Sequence, residues 1–290
     1  MENLILIDIG GTTIKFGIKQ GPNLEVLPAK PTPKMLAEFY TCLEAVVASL
    51  KKQYPIQGVA ISSPGAVDQK TGVIKGASAL PYIHNFKIQA ELEKRFDLPV
   101  SLENDANCAA LAEMVDGAGK AVKDAIFLVI GTGVGGALVE NKRIRHGAHL
   151  LAGEVGYLLL GQEMTVSQAV SPVSLAKRYN TKTGRNISGK EVFERAQAGD
   201  EVAQAEVEQA MQTLATLLYD LQYSFDPELF IIGGAISKNE QLLPLLRAHL
   251  AKIKEHVEIA DVMPEITVCK YHEQANLLGA AINFEHKMEA

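Results

Sequence analysis

Two segments of the chain share one pattern, in which an apolar run is followed by a glycine-rich turn and a second apolar run. The first spans residues 4–18 with its turn at 8–13, and the second spans 125–139 with its turn at 131–136. Short apolar runs joined by glycines predict hairpins. Elsewhere short apolar runs alternate with amphipathic stretches, which predicts an α/β fold. The two segments are too different to be called a sequence repeat, but they predict two related halves.

The length of the chain predicts two domains. At about 150 residues per domain, 290 residues correspond to two. The small and polar segment 116–120 is the predicted boundary. We therefore expect an N-terminal α/β domain over 1–117 and a C-terminal α/β domain over 118–274. The last predicted helix can pack on either domain, and we assign residues 275–290 to the first.

Composition excludes several classes of protein. The net charge is −6 and the sequence contains no cluster of Lys and Arg, so we expect no nucleic-acid partner. It contains no apolar run of about 18 residues, so we expect no membrane span. The N-terminus lacks the features of a signal peptide. The three cysteines (Cys42, Cys108 and Cys269) lie far apart and fit neither a disulfide framework nor a zinc cluster, which favours the cytoplasm.

The first glycine turn carries residues suited to phosphate. The N–H groups of Gly10 and Gly11 can form an anion-binding nest. Asp8 can hold Mg²⁺ through water, because Mg²⁺ favours one or two carboxylates together with substrate phosphates. Lys15 can offset phosphate charge. The same residues also suit a tight turn in which Asp8 only accepts hydrogen bonds, and the motif alone does not decide between the two.

The second glycine turn contains the spacing of a dinucleotide fingerprint at Gly131, Gly133 and Gly136. That fingerprint requires a helix next, whereas residues 137–139 are typical of another strand. A hairpin that cradles phosphate fits better. The alternative is a tightly packed glycine turn that binds nothing.

Three further positions can carry chemistry. Asn104 and Asp105 stand between a predicted strand and a predicted helix, where such residues commonly cap the helix. Ligands also bind at the carboxyl ends of strands in open α/β sheets, and an Asp there can accept a proton from a substrate hydroxyl. Glu154 lies between two glycines. It can bind sugar hydroxyls, or it can be a solvated residue of a loop. Gly233-Gly234 ends a predicted strand, and can lie under a nucleotide base or simply begin a helix.

Together and in this order, these motifs resemble the ROK family of sugar kinases, within the actin-like ATPase superfamily. The resemblance covers nearly the whole chain. It is carried by DIGGTTIKFG (8–17), SSPGAVD (62–68), ENDANCAALAE (103–113), IGTGVGGALV (130–139), GAHLLAGEVGY (147–157) and IIGGAIS (231–237).

The resemblance implies a two-domain actin-like ATPase (ribonuclease H-like) fold with an interdomain cleft that closes on the sugar and excludes water. The implied reaction is ATP + sugar → ADP + sugar phosphate, mostly at the 6-hydroxyl, with Mg²⁺ and in a homodimer. Asp105 matches the catalytic base, and Asp8 lies near the metal. The residues that match phosphate and adenosine motifs are Gly10, Gly11, Thr12, Thr13, Lys15, Thr132, Gly133, Gly135, Gly233 and Gly234. The residues expected at the sugar are Gly65, Asn104, Asp105, Glu154, Tyr157 and Gln168.

The segment after Glu154 departs from the family pattern. Most members continue with Gly-His, a C-x-C-G-x-x-G-C zinc loop and a Glu. Here Tyr157 stands at the histidine position, the cysteines are absent, and Gln168 stands at the position of the later Glu. We therefore expect no structural zinc and a sugar pocket of altered polarity. Tight packing of leucines 158–160 is expected to order the segment instead. The expected acceptor is a hexose, an amino sugar or a β-glucoside, the last because the zinc-less relatives that this chain resembles include β-glucoside kinases.

Three other functions are alternatives to a sugar kinase. A ROK-type transcriptional regulator carries an N-terminal helix-turn-helix, whereas this acidic chain begins at the strand of the first phosphate loop. A sensor that binds sugar and ATP without catalysis is disfavoured by Asp105 and favoured by the changes at Tyr157 and Gln168. The third alternative is an NAD-linked enzyme, which a fluorescence titration with NAD(H) would detect.

Overall fold

The structure is a computed structural model that describes residues 3–161 and 163–289. The chain divides into two compact units. Unit 1 comprises Met1–Glu113, Gly147–Leu151 and Glu273–Ala290, and unit 2 comprises Met114–His146 and Ala152–His272. Each unit contains a mixed sheet with helices packed against it.

The described strands are β1 (Asn3–Ile9), β2 (Thr13–Gln20), β3 (Asn23–Pro31), β4 (Ile56–Ser63), β5 (Ala66–Asp68), β6 (Val73–Lys75), β7 (Val100–Asn104), β8 (Ala125–Ile130), β9 (Val134–Glu140), β10 (Arg143–Ile144), β11 (Leu229–Gly233) and β12 (Ile266–Val268). The described α-helices are α1 (Leu36–Gln53), α2 (Ile88–Phe96), α3 (Asp105–Asp116), α4 (Val166–Val170), α5 (Pro172–Thr183), α6 (Gly189–Gln197), α7 (Glu201–Phe225), α8 (Leu242–His256) and α9 (Ala275–Met288). Short 3₁₀ turns span Pro81–Ile83, Val155–Tyr157 and Ala235–Lys238.

The sheet of unit 1 has the strand order β3-β2-β1-β4-β7. Strands β1 and β2 form an antiparallel hairpin that pairs Asp8 with Lys15, and β4 and β7 continue the sheet in parallel. Every residue of β1 is buried. Ile5 and Ile7 pack in the core that contains α1, whereas Leu4 and Leu6 pack in a second cluster with α9. A strand covered on both faces has an uninterrupted apolar sequence, as observed here.

Unit 2 repeats this arrangement with the order β10-β9-β8-β11-β12. Strands β8 and β9 are antiparallel and pair Ile130 with Val134, while β8, β11 and β12 are parallel. Both predicted glycine hairpins are therefore confirmed. A strand follows the second glycine turn, so the helix that the dinucleotide fingerprint requires is not there.

The longest described helix, α7, has a capped N-terminus. Asp200 accepts a hydrogen bond from the backbone N–H of Ala203 (3.0 Å), and this cap starts the helix at Glu201. Its apolar face lies in the core of unit 2, against the side chains of β8 and β11. Across the described residues, the structure shows no helix of the length and apolar character that spanning a membrane requires.

Candidate active site

Asp8 lies buried near the end of β1 in unit 1. Its Oδ1 accepts hydrogen bonds from the Ser62 hydroxyl (2.9 Å) and from Nδ2 of Asn276 (3.0 Å). Its Oδ2 lies 3.9 Å from Nζ of Lys15, the residue opposite it in the hairpin. Two neutral donors therefore hold one carboxylate oxygen, while the other faces a cation.

The first glycine turn is closed by protein contacts on one side and exposed on the other. The N–H of Gly10 donates to the carbonyl of Thr13 (3.0 Å). Thr32 adds two hydrogen bonds. Its N–H donates to the carbonyl of Thr12 (2.9 Å), and its hydroxyl donates to the carbonyl of Gly10 (2.7 Å). Residues 11–13 are exposed. Hydrogen bonds to Thr13 and Thr32 thus hold the loop on one side, while Thr12 and Thr13 are exposed to solvent on the other.

Asn104 caps α3 and also orients two neighbouring groups. Its Oδ1 accepts from the N–H groups of Ala106 (2.9 Å) and Asn107 (3.1 Å), which confirms the capping role. Its Nδ2 donates to the carbonyl of Gly65 (3.1 Å) and to Oδ1 of Asp105 (3.0 Å). One amide therefore connects the helix start, the Gly65 turn and the Asp105 carboxylate.

The carboxyl group of Asp105 has an unusual proton affinity. Burial raises its pKa to about 6, hydrogen bonding to the Ala106 N–H opposes this, and the charge of Asp8 adds to it. A carboxylate with a pKa near neutrality is ionised at physiological pH and still basic enough to accept a proton. Such a group at the end of a parallel strand suits general-base catalysis.

Gly65 occupies a position that only glycine fits. Its φ is +94°, and a Cβ there would lie 2.7 Å from Cε1 of His84 and 2.8 Å from Cγ2 of Ile74. His84 is itself buried, with its Nε2 2.7 Å from the Ser78 hydroxyl. The turn that accepts the Asn104 hydrogen bond is therefore packed directly on a histidine ring.

The second glycine turn of unit 2 leads from β8 into β9. The N–H of Gly131 donates to the carbonyl of Gly133 (2.9 Å), which folds the turn back on itself and leaves Thr132 exposed. A Cβ on Gly136 would lie 2.7 Å from the carbonyl oxygen of Gly153. The hairpin thus packs against the residue that directly precedes Glu154.

Glu154 is partly buried, and burial raises its pKa. It precedes the short 3₁₀ turn that contains Tyr157, whose side chain is 75% exposed.

Gln168 has a structural role, since its Oε1 accepts from the N–H of Thr165 (2.9 Å) in the capping box of α4. The expected tight packing of leucines 158–160 is wrong for the first two, since Leu158 and Leu159 are 41% and 52% exposed. Leu160 is partly buried and packs against the core of unit 2.

The Gly233-Gly234 turn lies against the end of β8. Gly234 has φ +83°, and a Cβ there would overlap the backbone of Ile130, one residue before the second glycine turn. Beside it is a cavity of about 630 Å³. Its lining consists of Pro172, Gly189, Lys190, Phe193, Glu194, Gln197 and residues 235, 236 and 238–241.

The sequence-predicted residues fall into two sets. Unit 1 contains Asp8, Gly10, Gly11, Thr12, Thr13, Lys15, Gly65, Asn104 and Asp105, and unit 2 contains Thr132, Gly133, Gly135, Glu154, Tyr157, Gln168, Gly233 and Gly234. Sequence reasoning missed Ser62 and Asn276, which hold Asp8, and His84, which supports Gly65. Ser62 could have been found from the sequence, because it lies one residue before the end of the strand that pairs with β1, opposite Asp8. The contact of Asn276 depends on the return of α9 to this sheet, which no local pattern indicates.

Within residues 3–161 and 163–289, no group of three or more His, Cys, Asp or Glu side chains is arranged to hold a metal ion. The single carboxylate of Asp8 beside an exposed glycine turn nevertheless fits Mg²⁺ that arrives with nucleotide phosphates. Mg²⁺ keeps several water ligands and needs only one or two carboxylates from the protein.

The chain is similar over nearly its whole length to a known family of proteins. A model of the ROK family matches residues 4–287. A β-glucoside kinase from Listeria innocua is 33% identical over 287 residues, covering 96% of this chain and 95% of its own, and one from Klebsiella pneumoniae is 33% identical over 289 residues, covering 96% and 94%. The crystal structure of a ROK family protein from Streptococcus pneumoniae in complex with sucrose is 36% identical with a TM-score of 0.89, covering 99% of both chains. A ROK glucokinase from Streptomyces griseus, in complex with glucose and AMPPNP, is 28% identical with a TM-score of 0.76, covering 97% of this chain and 98% of its own.

The fold and the relatives together define an ATP-dependent carbohydrate kinase with the actin-like ATPase fold. The chain belongs to the ROK family.

Proposed function

We propose that the protein transfers the γ-phosphoryl group of ATP to the 6-hydroxyl of a hexose unit, with a β-glucoside as the acceptor and Asp105 as the general base. The observation that carries this proposal is the Asp105 carboxyl, oriented by Asn104 at the end of β7 with a pKa of about 6. The full-length relatives named β-glucoside kinases support the acceptor class.

In the proposed reaction, the acceptor oxygen attacks the γ-phosphorus and the bond to the β-phosphate oxygen breaks. The hydroxyl proton passes to the Asp105 carboxylate and then to solvent, and ADP leaves with the bond electrons. Positioning and charge stabilisation provide most of the rate acceleration in phosphoryl transfer. The hydrogen bonds that Asp105 accepts from Asn104 and from the N–H of Ala106 hold the base in one orientation for this step.

The nucleotide is proposed to bind through both glycine turns. The N–H groups and hydroxyls of residues 10–13 and 132–135 donate to phosphate oxygens, and Lys15 offsets their charge. Mg²⁺ would neutralise phosphate charge when bound, with Asp8 holding it through water. The cavity beside Gly233-Gly234 has the size and mixed lining that suit an adenosine.

The residues proposed for the acceptor are those that the family resemblance implies. Glu154 is partly buried and can accept bonds from sugar hydroxyls. Tyr157, which is exposed three residues further along the chain, can donate a hydrogen bond or stack on a sugar ring. Gln168 retains its amide N–H₂ for the sugar while its oxygen caps α4. On the same resemblance we propose Gly65 and Asn104 as further acceptor residues.

Cellular context is proposed on the resemblance and on composition. The scattered free cysteines suit a reducing cytoplasm. The family resemblance supports a homodimer, which light scattering of the purified protein would test directly.

The test is ATP turnover by coupled ADP release with Mg²⁺ across glucose, mannose, N-acetylmannosamine, N-acetylglucosamine, fructose, sucrose, cellobiose and gentiobiose. We expect turnover with cellobiose or gentiobiose well above the others, and its loss in Asp105→Asn. Preference for a monosaccharide would refute the acceptor class alone. Retained ATP binding without turnover on any sugar would favour the sensor.

A further inference from the structure

A serine on the short helix α4 is bonded to the second glycine turn. The Oγ of Ser167 accepts a hydrogen bond from the N–H of Val134 (3.0 Å) and lies 3.3 Å from the carbonyl oxygen of the same residue, to which it can donate. Val134 is the first residue of β9 and directly follows Gly133. One hydroxyl therefore contacts both polar backbone groups at the exit of the turn.

The Ser167 hydroxyl is closely packed against the backbone at Gly156. A Cβ on Gly156 would overlap the carbonyl oxygen of Val134 and lie 2.5 Å from Oγ of Ser167. A Cβ on Gly133 would lie 3.5 Å from the same oxygen. The glycine turn, the segment after Glu154 and α4 therefore meet at one point, and that point is Ser167.

Helix α4 is held firmly despite its length of five residues. Arg178 donates from its guanidinium to the carbonyls of Gln168 and Ala169. The same guanidinium donates through Nε to the buried carboxylate of Glu206 on α7 (2.7 Å). A further bond, from the N–H of Val166 to the carbonyl of Leu158 (2.8 Å), closes the segment in which the family zinc loop is missing. These bonds fix the position of α4, and with it the position of Ser167 beside Val134.

We propose that Ser167 is a positioning residue whose hydroxyl fixes the second glycine turn relative to the Glu154 segment, so that nucleotide binding and acceptor binding depend on one hydrogen-bonded contact. The proposal rests on the proposed function, in which this turn binds ATP phosphates. Without the hydroxyl, the exit of the turn loses a partner for two backbone groups, and partly buried backbone groups that lose partners move to find others.

The test compares Ser167→Ala with Ser167→Thr, which keeps the hydroxyl, and with the control Tyr179→Phe. The control removes the bond between the Tyr179 hydroxyl and Asp200 (2.6 Å), also within unit 2 but at the start of α7. We measure KM for ATP, KM for the best sugar, and the rise in melting temperature on adding AMPPNP.

For Ser167→Ala we expect both KM values to rise about fivefold or more, with a smaller stabilisation by AMPPNP, and near wild-type values for Ser167→Thr. Tyr179→Phe should lower the melting temperature without changing either KM by more than about twofold.

Equal KM values in Ser167→Ala and wild type would overturn the proposal while leaving the kinase assignment intact. If the alanine variant does not fold, Ser167→Cys keeps the size with a weaker donor, and unchanged KM values there would overturn the proposal equally. Absence of turnover in the wild type would instead overturn the proposed function, and an unaltered AMPPNP response in Ser167→Ala would still refute the positioning role.

Discussion

Replacing the proposed base should stabilise the protein while abolishing its activity. The pKa of Asp105 is about 6 in the fold against an ordinary value of 3.8, because burial and the charge of Asp8 disfavour the ionised form. The unfolded chain therefore releases this proton more readily than the folded chain. The ionised carboxylate costs folding free energy at neutral pH, and this cost disappears as the pH falls through 6 towards 3.8.

The size of the effect follows from the two pKa values. One pH unit corresponds to about 1.4 kcal/mol, so the cost reaches about 3 kcal/mol at pH 8 and falls to about 1 kcal/mol at pH 4.5. Asp105→Asn removes the charge and keeps an oxygen that can accept the bonds from Asn104 and the N–H of Ala106. We expect this variant to be more stable than the wild type by up to about 3 kcal/mol at pH 8. Its turnover should fall by about 10²–10⁴-fold, the usual contribution of a general base.

The assay is urea unfolding followed by far-UV circular dichroism at pH 8 and pH 4.5, since the chain contains no tryptophan. The matched control is Asp116→Asn. Asp116 is exposed and its pKa is lowered to about 2 by the Lys120 side chain, so ionisation favours the fold and its replacement should not stabilise the protein at pH 8. A variant at Asp105 that is less stable than the wild type at pH 8, or a stability gap equal at both pH values, would refute the reasoning.

Four further predictions follow from contacts in the structure. Wild-type kcat/KM should fall about tenfold per pH unit below about pH 6, because protonated Asp105 cannot accept a proton; an acid limb centred near pH 4 would contradict this. Gly65→Ala should lower the melting temperature more than Gly76→Ala, which shares a positive φ but has open space around its Cβ; equal losses would exclude the contact with His84 as the cause. Glu206→Gln should lower the free energy of unfolding by about 3 kcal/mol in urea, because it leaves Arg178 and Lys182 beside a buried group without charge. Glu140→Gln, at an exposed ion pair, should leave this free energy almost unchanged. EDTA should abolish turnover and added Mg²⁺ should restore it, whereas full activity in EDTA would remove Mg²⁺ from the proposal.

Local patterns predicted the parts of the fold that carry their signal in a few neighbouring residues. Both hairpins were predictable because glycines interrupt two apolar runs in the sequence. Strand β3 carries no such signal, since most of its residues are exposed and two prolines interrupt its apolar residues. It exists through pairing with β2. Helix α4 is too short for periodicity and depends on its Thr165–Gln168 capping box.

The candidate site was predictable as a set of residues, and its supports were not. Asp105 and the glycine turns stand out because charge and missing side chains are visible in sequence. The partners of Asp8 come from positions 62 and 276, and the partner of Val134 comes from position 167. Such pairings are created by the fold, and a single sequence carries no record of which distant residues meet.

Helix α9 has a consequence for how the protein is made. Its residues Leu277 and Phe284 complete the cluster that covers one face of β1, and Gly279 lies so close to the carbonyl of Cys108 that no side chain would fit. A nascent chain on the ribosome therefore holds one face of its first strand uncovered until about 270 later residues have been added. At about 5–20 residues per second, this interval lasts roughly 15–60 seconds, during which an apolar sheet face is open to chaperones or to other chains. Slow translation anywhere between the first strand and α9 should thus lengthen this exposure and lower the yield of native protein.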